Sequence, residues 1–142
     1  MKKSGTAVLL VVLVASILIT GVTVLWRSAA QSFESAMHYY RARKNFYACE
    51  SLALYGAALF KSNLILSDNL PLNNKSALLY KGAWPKGSQN WGELVVSYDR
   101  KTEQIDLLAK LFSNMHLEPI AITRILLKKA NKSFQVLSWK NA

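Results

Sequence analysis

Hydrophobic positions change their period along this chain, and each change marks an element. Residues 6 to 26, Thr-Ala-Val-Leu-Leu-Val-Val-Leu-Val-Ala-Ser-Ile-Leu-Ile-Thr-Gly-Val-Thr-Val-Leu-Trp, are apolar or small on every side and carry no charge. At ~1.5 Å rise per residue the run spans roughly 30 Å, the hydrocarbon thickness of a bilayer. Lipid offers the backbone no hydrogen-bond partner, so the run is predicted to be a transmembrane helix. Trp26 and Arg27 close it as an interfacial aromatic and a charge that reaches the headgroups.

Beyond Arg27 the period becomes helical. Tyr39, Ala42, Phe46, Cys49, Ala53, Gly56 and Phe60 recur in steps of three and four, which puts them on one helix face. Arg41, Arg43, Lys44, Glu50 and Lys61 fall off that stripe. The small residues on and beside it let a packing partner approach the backbone closely. No proline interrupts residues 27–66, and Gly56 is the only glycine there. The pattern predicts one helix from about residue 6 to about residue 65, roughly 90 Å long, with 27–66 as an amphipathic spine. Gly21 and Gly56 are weak points within it. It should stop at Ser67-Asp68-Asn69-Leu70-Pro71, where turn formers and a proline end helical geometry.

Residues 67–92 read as irregular, interrupted by the apolar stretch Ala77-Leu78-Leu79-Tyr80. Glu93–Tyr98 is then a strand by its β-branched and aromatic content, and Asp99-Arg100-Lys101-Thr102 a turn. Residues 103–111 alternate as a half-buried strand would. Ile105, Leu108, Leu111 and Phe112 also sit at helical spacing, so strand and helix both stay open there. Ala121–Lys128, a turn at 129–132 and Ser133–Trp139 form a second hairpin. The predicted fold class is α+β: a long N-terminal helix packed on an antiparallel sheet of about four strands within residues 67–142. That is room for one domain outside the membrane.

The first five residues, Met1-Lys2-Lys3-Ser4-Gly5, read as a short polar leader. A secretory signal peptide cleaved near Ser28-Ala29-Ala30 and a plain signal-anchor are the alternatives, although a signal peptide's apolar core usually runs only about 7–15 residues. Lys2 and Lys3 favour a cytoplasmic N-terminus, and Arg41-Ala42-Arg43-Lys44 lies near the limit where charge opposes them. Chemistry is sparse. His38 and His116 stand without a second ligand at metal-binding spacing, so no metal is assigned. No nucleophile–histidine–acid set and no phosphate-cradling glycine loop appears, which argues against an enzyme or a cofactor. Cys49 is the only cysteine, so no disulfide can form within the chain, and its place on the stripe suits a small buried hydrophobe.

A lysine-containing leader ending in glycine, an uninterrupted apolar helix entering an amphipathic spine, and an antiparallel head together resemble the type IV filament superfamily. Its members are pilins and the pseudopilins of type II secretion and competence systems. In sequence the resemblance lies mainly in residues 1–60. Lys2-Lys3-Ser4-Gly5 is similar to the leader that the family's prepilin peptidase cuts after glycine. The resemblance implies cleavage between Gly5 and Thr6 and N-methylation of Thr6. Phe46-Tyr47-Ala48-Cys49-Glu50-Ser51-Leu52-Ala53 is similar to an aromatic-Ala-x-Glu signature of minor, tip-associated subunits. It implies subunit-packing roles for Leu10 and Glu50. Most relatives carry glutamate at the fifth mature position, where this chain has Leu10, a departure typical of subunits that start or cap a filament. The implied partners are other pilin or pseudopilin subunits, the prepilin peptidase, an inner-membrane assembly platform and membrane lipid. The implied location is a single pass through the inner membrane with the N-terminus in the cytoplasm, then an envelope filament. An ordinary single-pass protein whose small domain binds an envelope partner is the competing class, and a filament-borne receptor for DNA or a surface is a third.

Charge adds one further candidate. Lys+Arg total 18 against 8 Asp+Glu, a net +10. Arg41, Arg43, Lys44, Lys128, Lys129 and Lys132 are candidate nucleic-acid contacts, with Trp84, Trp91 and Trp139 as stacking partners. No DNA-reading motif accompanies them, so solubility and anionic headgroups are the leading account of the charge and DNA the minor one.

Overall fold

A computed structural model describes residues 3–62, 76–114, 117–130 and 133–141. One helix, α1 (Lys3–Lys61), is followed by β1 (Ala77–Ala83), β2 (Trp91–Asp99), β3 (Gln104–Phe112), β4 (Pro119–Ala130) and β5 (Ser133–Asn141). The chain divides into two compact units, Met1–Arg41 and Ala42–Ala142. The fold class is the α+β arrangement expected from the hydrophobic pattern, with five strands where about four were expected.

In the first unit α1 begins at Lys3, three residues earlier than the apolar run. Nothing in Lys3-Ser4-Gly5 blocks backward propagation, which is cheap once a helix has nucleated. Residues 5–41 are exposed throughout, apolar ones included. The hydroxyls inside the apolar run fold back on their own helix. Ser16 Oγ donates to the Leu13 carbonyl at 2.8 Å, Thr20 Oγ1 to the Ser16 carbonyl at 2.7 Å, and Thr23 Oγ1 to the Ile19 carbonyl. Each polar atom is thus satisfied without water.

In the second unit the remainder of α1 lies on one face of the sheet. Cys49, Leu52, Ala53, Gly56, Ala57 and Phe60 are its buried positions, a stripe at i, i+3, i+4, i+7, i+8 and i+11. That is wider than the expected stripe, because Leu52 and Ala57 join it. It also starts later: Tyr39 and Ala42 are exposed, and Phe46 is half-buried. The helix ends at Lys61, and the turn expected at 67–71 lies outside the described residues.

The sheet is a meander of order β1-β2-β3-β4-β5 with every neighbouring pair antiparallel. Strict alternation in β2 and β3 sends Leu94, Val96, Ile105, Leu107 and Leu111 inward, where Ile125 and Leu127 of β4 join them. Residues 104–112 are therefore strand, which settles the open choice: period 2 wins because one face meets α1. In the β2–β3 turn the Asp99 carboxylate accepts the Lys101 N–H and the Thr102 hydroxyl, both at 2.9 Å, and Glu103 takes a positive φ of 53°.

The unexpected strand is β1, which lies in the stretch read as irregular. Leu78 pairs with Val95 and Tyr80 with Leu94, so Leu79 is a bulge and the alternation slips by one residue. A second bulge sits in β5, where Ser138 faces Leu126 but Val136 faces Leu127. Helix and sheet meet closely at two glycines. A Cβ on Gly56 would stand 2.6 Å from Leu94 Cδ2, and one on Gly92 would stand 2.6 Å from Leu52 Cδ2.

Candidate functional site

Gly5 and Thr6, the expected processing junction, lie in the first turns of α1 and are exposed, as is Leu10. A Cβ added at Gly5 would meet nothing within 4 Å. The junction is thus helical and open on the first unit's surface. The apolar side chains from Val8 to Trp26 stand outward around it, and the helix is long and apolar enough to cross a membrane.

Glu50 sits beside the buried stripe, half-buried, and its Oε1 accepts a long bond of 3.5 Å from Asn141 Nδ2. That contact ties the last residue of β5 to α1, which gives Glu50 a place within its own chain. Cys49 next to it is fully buried, and its thiol points at the Ala109 and Ala121 carbonyls at 3.4 and 3.5 Å. Burial pushes the thiol above its ordinary value, offset in part by the neighbouring Thr123 hydroxyl. Thr123 Oγ1 is itself buried without a hydrogen bond of ordinary geometry.

The basic candidates do not converge within the second unit. Arg43 and Lys44 begin its helical part. Arg43 Nε donates to Tyr47 Oη at 2.9 Å, with the guanidinium 5.5 Å from the ring centre. Lys128 and Lys129 are at the far end of β4, where Lys129 pairs with Phe134 and the Phe134 ring meets Phe60 at 5.9 Å. Sixteen residues of helix separate Lys44 from Phe60, about 24 Å. Arg41 belongs to the first unit, and Lys132 lies outside the described residues.

The three candidate tryptophans are occupied. Trp84 Nε1 donates to the Ala48 carbonyl and to Ser51 Oγ, both at 2.9 Å, and Trp91 stacks on Phe112 at 4.3 Å with Lys81 Nζ 5.0 Å from its ring centre. Trp139 packs against the core. Two ion pairs, Lys81–Glu93 at 3.0 Å and the bidentate Arg124–Asp106, tie neighbouring strands. The Asp106 carboxylate holds the Arg124 guanidinium above its ordinary value. Among the described residues no His, Cys, Asp and Glu group could hold a metal.

Sequence reasoning missed a set of polar residues between α1 and the β1–β2 loop: Asn45, Ser51, Gln89 and Asn90. Asn90 Nδ2 reaches Asn45 Oδ1 at 3.4 Å across 45 residues of chain. No periodicity signals such a contact. No known protein family, curated protein or solved structure matches this chain.

Proposed function

We propose that this chain is a structural, non-enzymatic minor pilin or pseudopilin that helps initiate or cap a type IV-like filament. One observation carries the reading. A single helix opens with an uncharged, wholly exposed apolar run and continues into a stripe buried by an antiparallel sheet. An apolar run of that length needs lipid or other helices around it. A helix so divided can be held in a membrane and then in a filament core while its head keeps one fold.

On this reading the prepilin peptidase cuts between Gly5 and Thr6, and the new N-terminus joins other subunits at the assembly platform. Leu10 supplies no carboxylate to a preceding subunit's amine. A following subunit bearing the family's glutamate can still neutralise the Thr6 amine. That asymmetry favours an early or terminal position. The test is the intact mass of the cellular protein, expected to lack residues 1–5, with Gly5→Leu blocking the loss. A mature chain beginning at Gln31 or still at Met1 would favour a signal peptide or a plain membrane anchor.

A further inference from the structure

A cleft of about 530 Å³ opens between α1 at Lys44–Ser51 and the loop that joins β1 to β2. Both walls are fixed by hydrogen bonds that need no ligand. Ser51 Oγ donates to the Ala48 carbonyl at 2.7 Å, and Trp84 Nε1 bonds both of those oxygens. The Trp84 ring is held between Tyr55 and Tyr80, with centroids 5.5 and 5.6 Å away. The loop closes on itself: Trp84 N–H donates to the Asn90 carbonyl at 2.9 Å, Ser88 N–H to the Pro85 carbonyl at 2.9 Å, and Ser88 Oγ to the Asn90 carbonyl at 3.0 Å. A site built in advance loses little entropy when it binds.

The lining has a definite chemistry. Asn45, Asn90 and Gln89 bring planar amides, each a donor and an acceptor on one plane. The one long contact between Asn45 and Asn90 leaves the Asn45 amide N–H groups and the Asn90 side-chain carbonyl with capacity to spare. Tyr47 adds a half-exposed ring whose hydroxyl is fixed by Arg43. Among the described residues Lys44 is the only charged one lining the cleft, and none is a carboxylate.

Paired amides suit vicinal hydroxyls, which present a donor and an acceptor side by side. An aromatic face attracts the electropositive C–H groups of a pyranose ring. An apolar ligand would strand the amides, and a nucleic acid would call for several cations where one is present. We infer that this cleft binds a short acidic oligosaccharide, with the Asn45, Asn90 and Gln89 amides on ring hydroxyls, Tyr47 against a sugar face and Lys44 on the carboxylate. The inference goes beyond the filament reading and stands without it.

The test uses the full chain in phosphatidylcholine nanodiscs, labelled with 5-fluorotryptophan and observed by fluorine NMR. The Trp84 signal, identified by its loss in Trp84→Phe, reports on the wall through Ser51. Tetragalacturonic acid should shift it with a Kd on the order of 1 mM, while the Trp26 signal stays in place. Maltotetraose, an uncharged tetrasaccharide of the same α-1,4 linkage with the same vicinal C2 and C3 hydroxyls, should bind about ten-fold more weakly. Lys44→Gln should remove that difference between the two sugars, and Asn90→Ala should weaken both about ten-fold, ~1.4 kcal/mol. Ligand-free spectra matching the parent would show that the variants fold. A Trp84 signal indifferent to both sugars at about 20 mM overturns the inference. So does equal binding of the two sugars by the parent chain, or inorganic phosphate acting as well as tetragalacturonic acid while maltotetraose does nothing.

Discussion

Gly56→Ala sets two effects of known sign against each other. Alanine in place of glycine within a helix gains about 0.8–1.0 kcal/mol. Here the added Cβ would stand 2.6 Å from Leu94 Cδ2 and 3.3 Å from Leu94 Cδ1. Leu94 is fully buried, so it cannot swing into solvent to make room. Forcing a methyl into a filled core costs about 1–3 kcal/mol. Overpacking should win, for a net loss of roughly 1 kcal/mol. Leu94→Ala empties the contested space at a cost of about 2–5 kcal/mol. In that background Gly56→Ala should change sign and stabilise by nearly the full helix gain. The coupling is then about 2 kcal/mol, within the range for residues in contact. Urea denaturation of the full chain in detergent micelles, followed by indole emission, measures all four corners, since Trp84, Trp91 and Trp139 belong to the second unit. If Gly56→Ala stabilises the parent chain, or acts equally in both backgrounds, the close approach is not the reason for the glycine.

Two further outcomes follow from the core. Thr123→Val exchanges a buried hydroxyl lacking an ordinary hydrogen bond for a methyl of similar shape, and should raise the urea midpoint by the equivalent of about 1–2 kcal/mol. Because burial raises the Cys49 thiol, the unfolded chain loses that proton first as pH climbs past the ordinary value of 9.0. Stability should therefore be complete below that value and decline above it until the folded thiol also titrates, a slope that Cys49→Ala should flatten in urea melts taken from pH 7 to 11.

The α+β class, the second hairpin and the β2–β3 turn were legible because their signals are local. β-branched and aromatic content placed β2, β4 and β5 to within a few residues, and Asp99 marked its turn by the carboxylate that now holds Lys101 and Thr102. Residues 104–112 stayed open between strand and helix until α1 supplied the face they pack against. β1 escaped because the bulge at Leu79 places two half-buried residues in succession, Leu79 and Tyr80, and so destroys period 2. Gly56 looked like a weak point in a helix, since the sequence does not name Leu94 as the neighbour that needs the space. The basic residues looked like one set because their numbers cluster in two short runs, whereas the fold sets Arg43 and Lys44 apart from Lys128 and Lys129. The cleft was illegible for a related reason. Its amides come from segments that no single period connects.

The two units solve different solvation problems with the same helix. Facing the sheet, α1 spends small residues so that backbones approach, and Leu52 and Phe60 fill what remains. Residues 6–26 have no such partner within their own unit, yet each of the Ser16, Thr20 and Thr23 hydroxyls is already bonded to the helix. A surface of that kind exchanges lipid tails for other apolar helices at little cost in hydrophobic free energy, because both are equally apolar. Packing shape then decides between the two environments. On the proposed function this is what a subunit drawn from membrane into filament requires: a helix surface at ease in both, with no carboxylate at Leu10 to bind it to one neighbour. Installing that group by Leu10→Glu would supply the missing partner for a preceding amine. It should move the subunit from filament ends into the shaft, as read by gold-labelling a tag placed after Ala142, and an unchanged end location would refute the electrostatic part of the proposal.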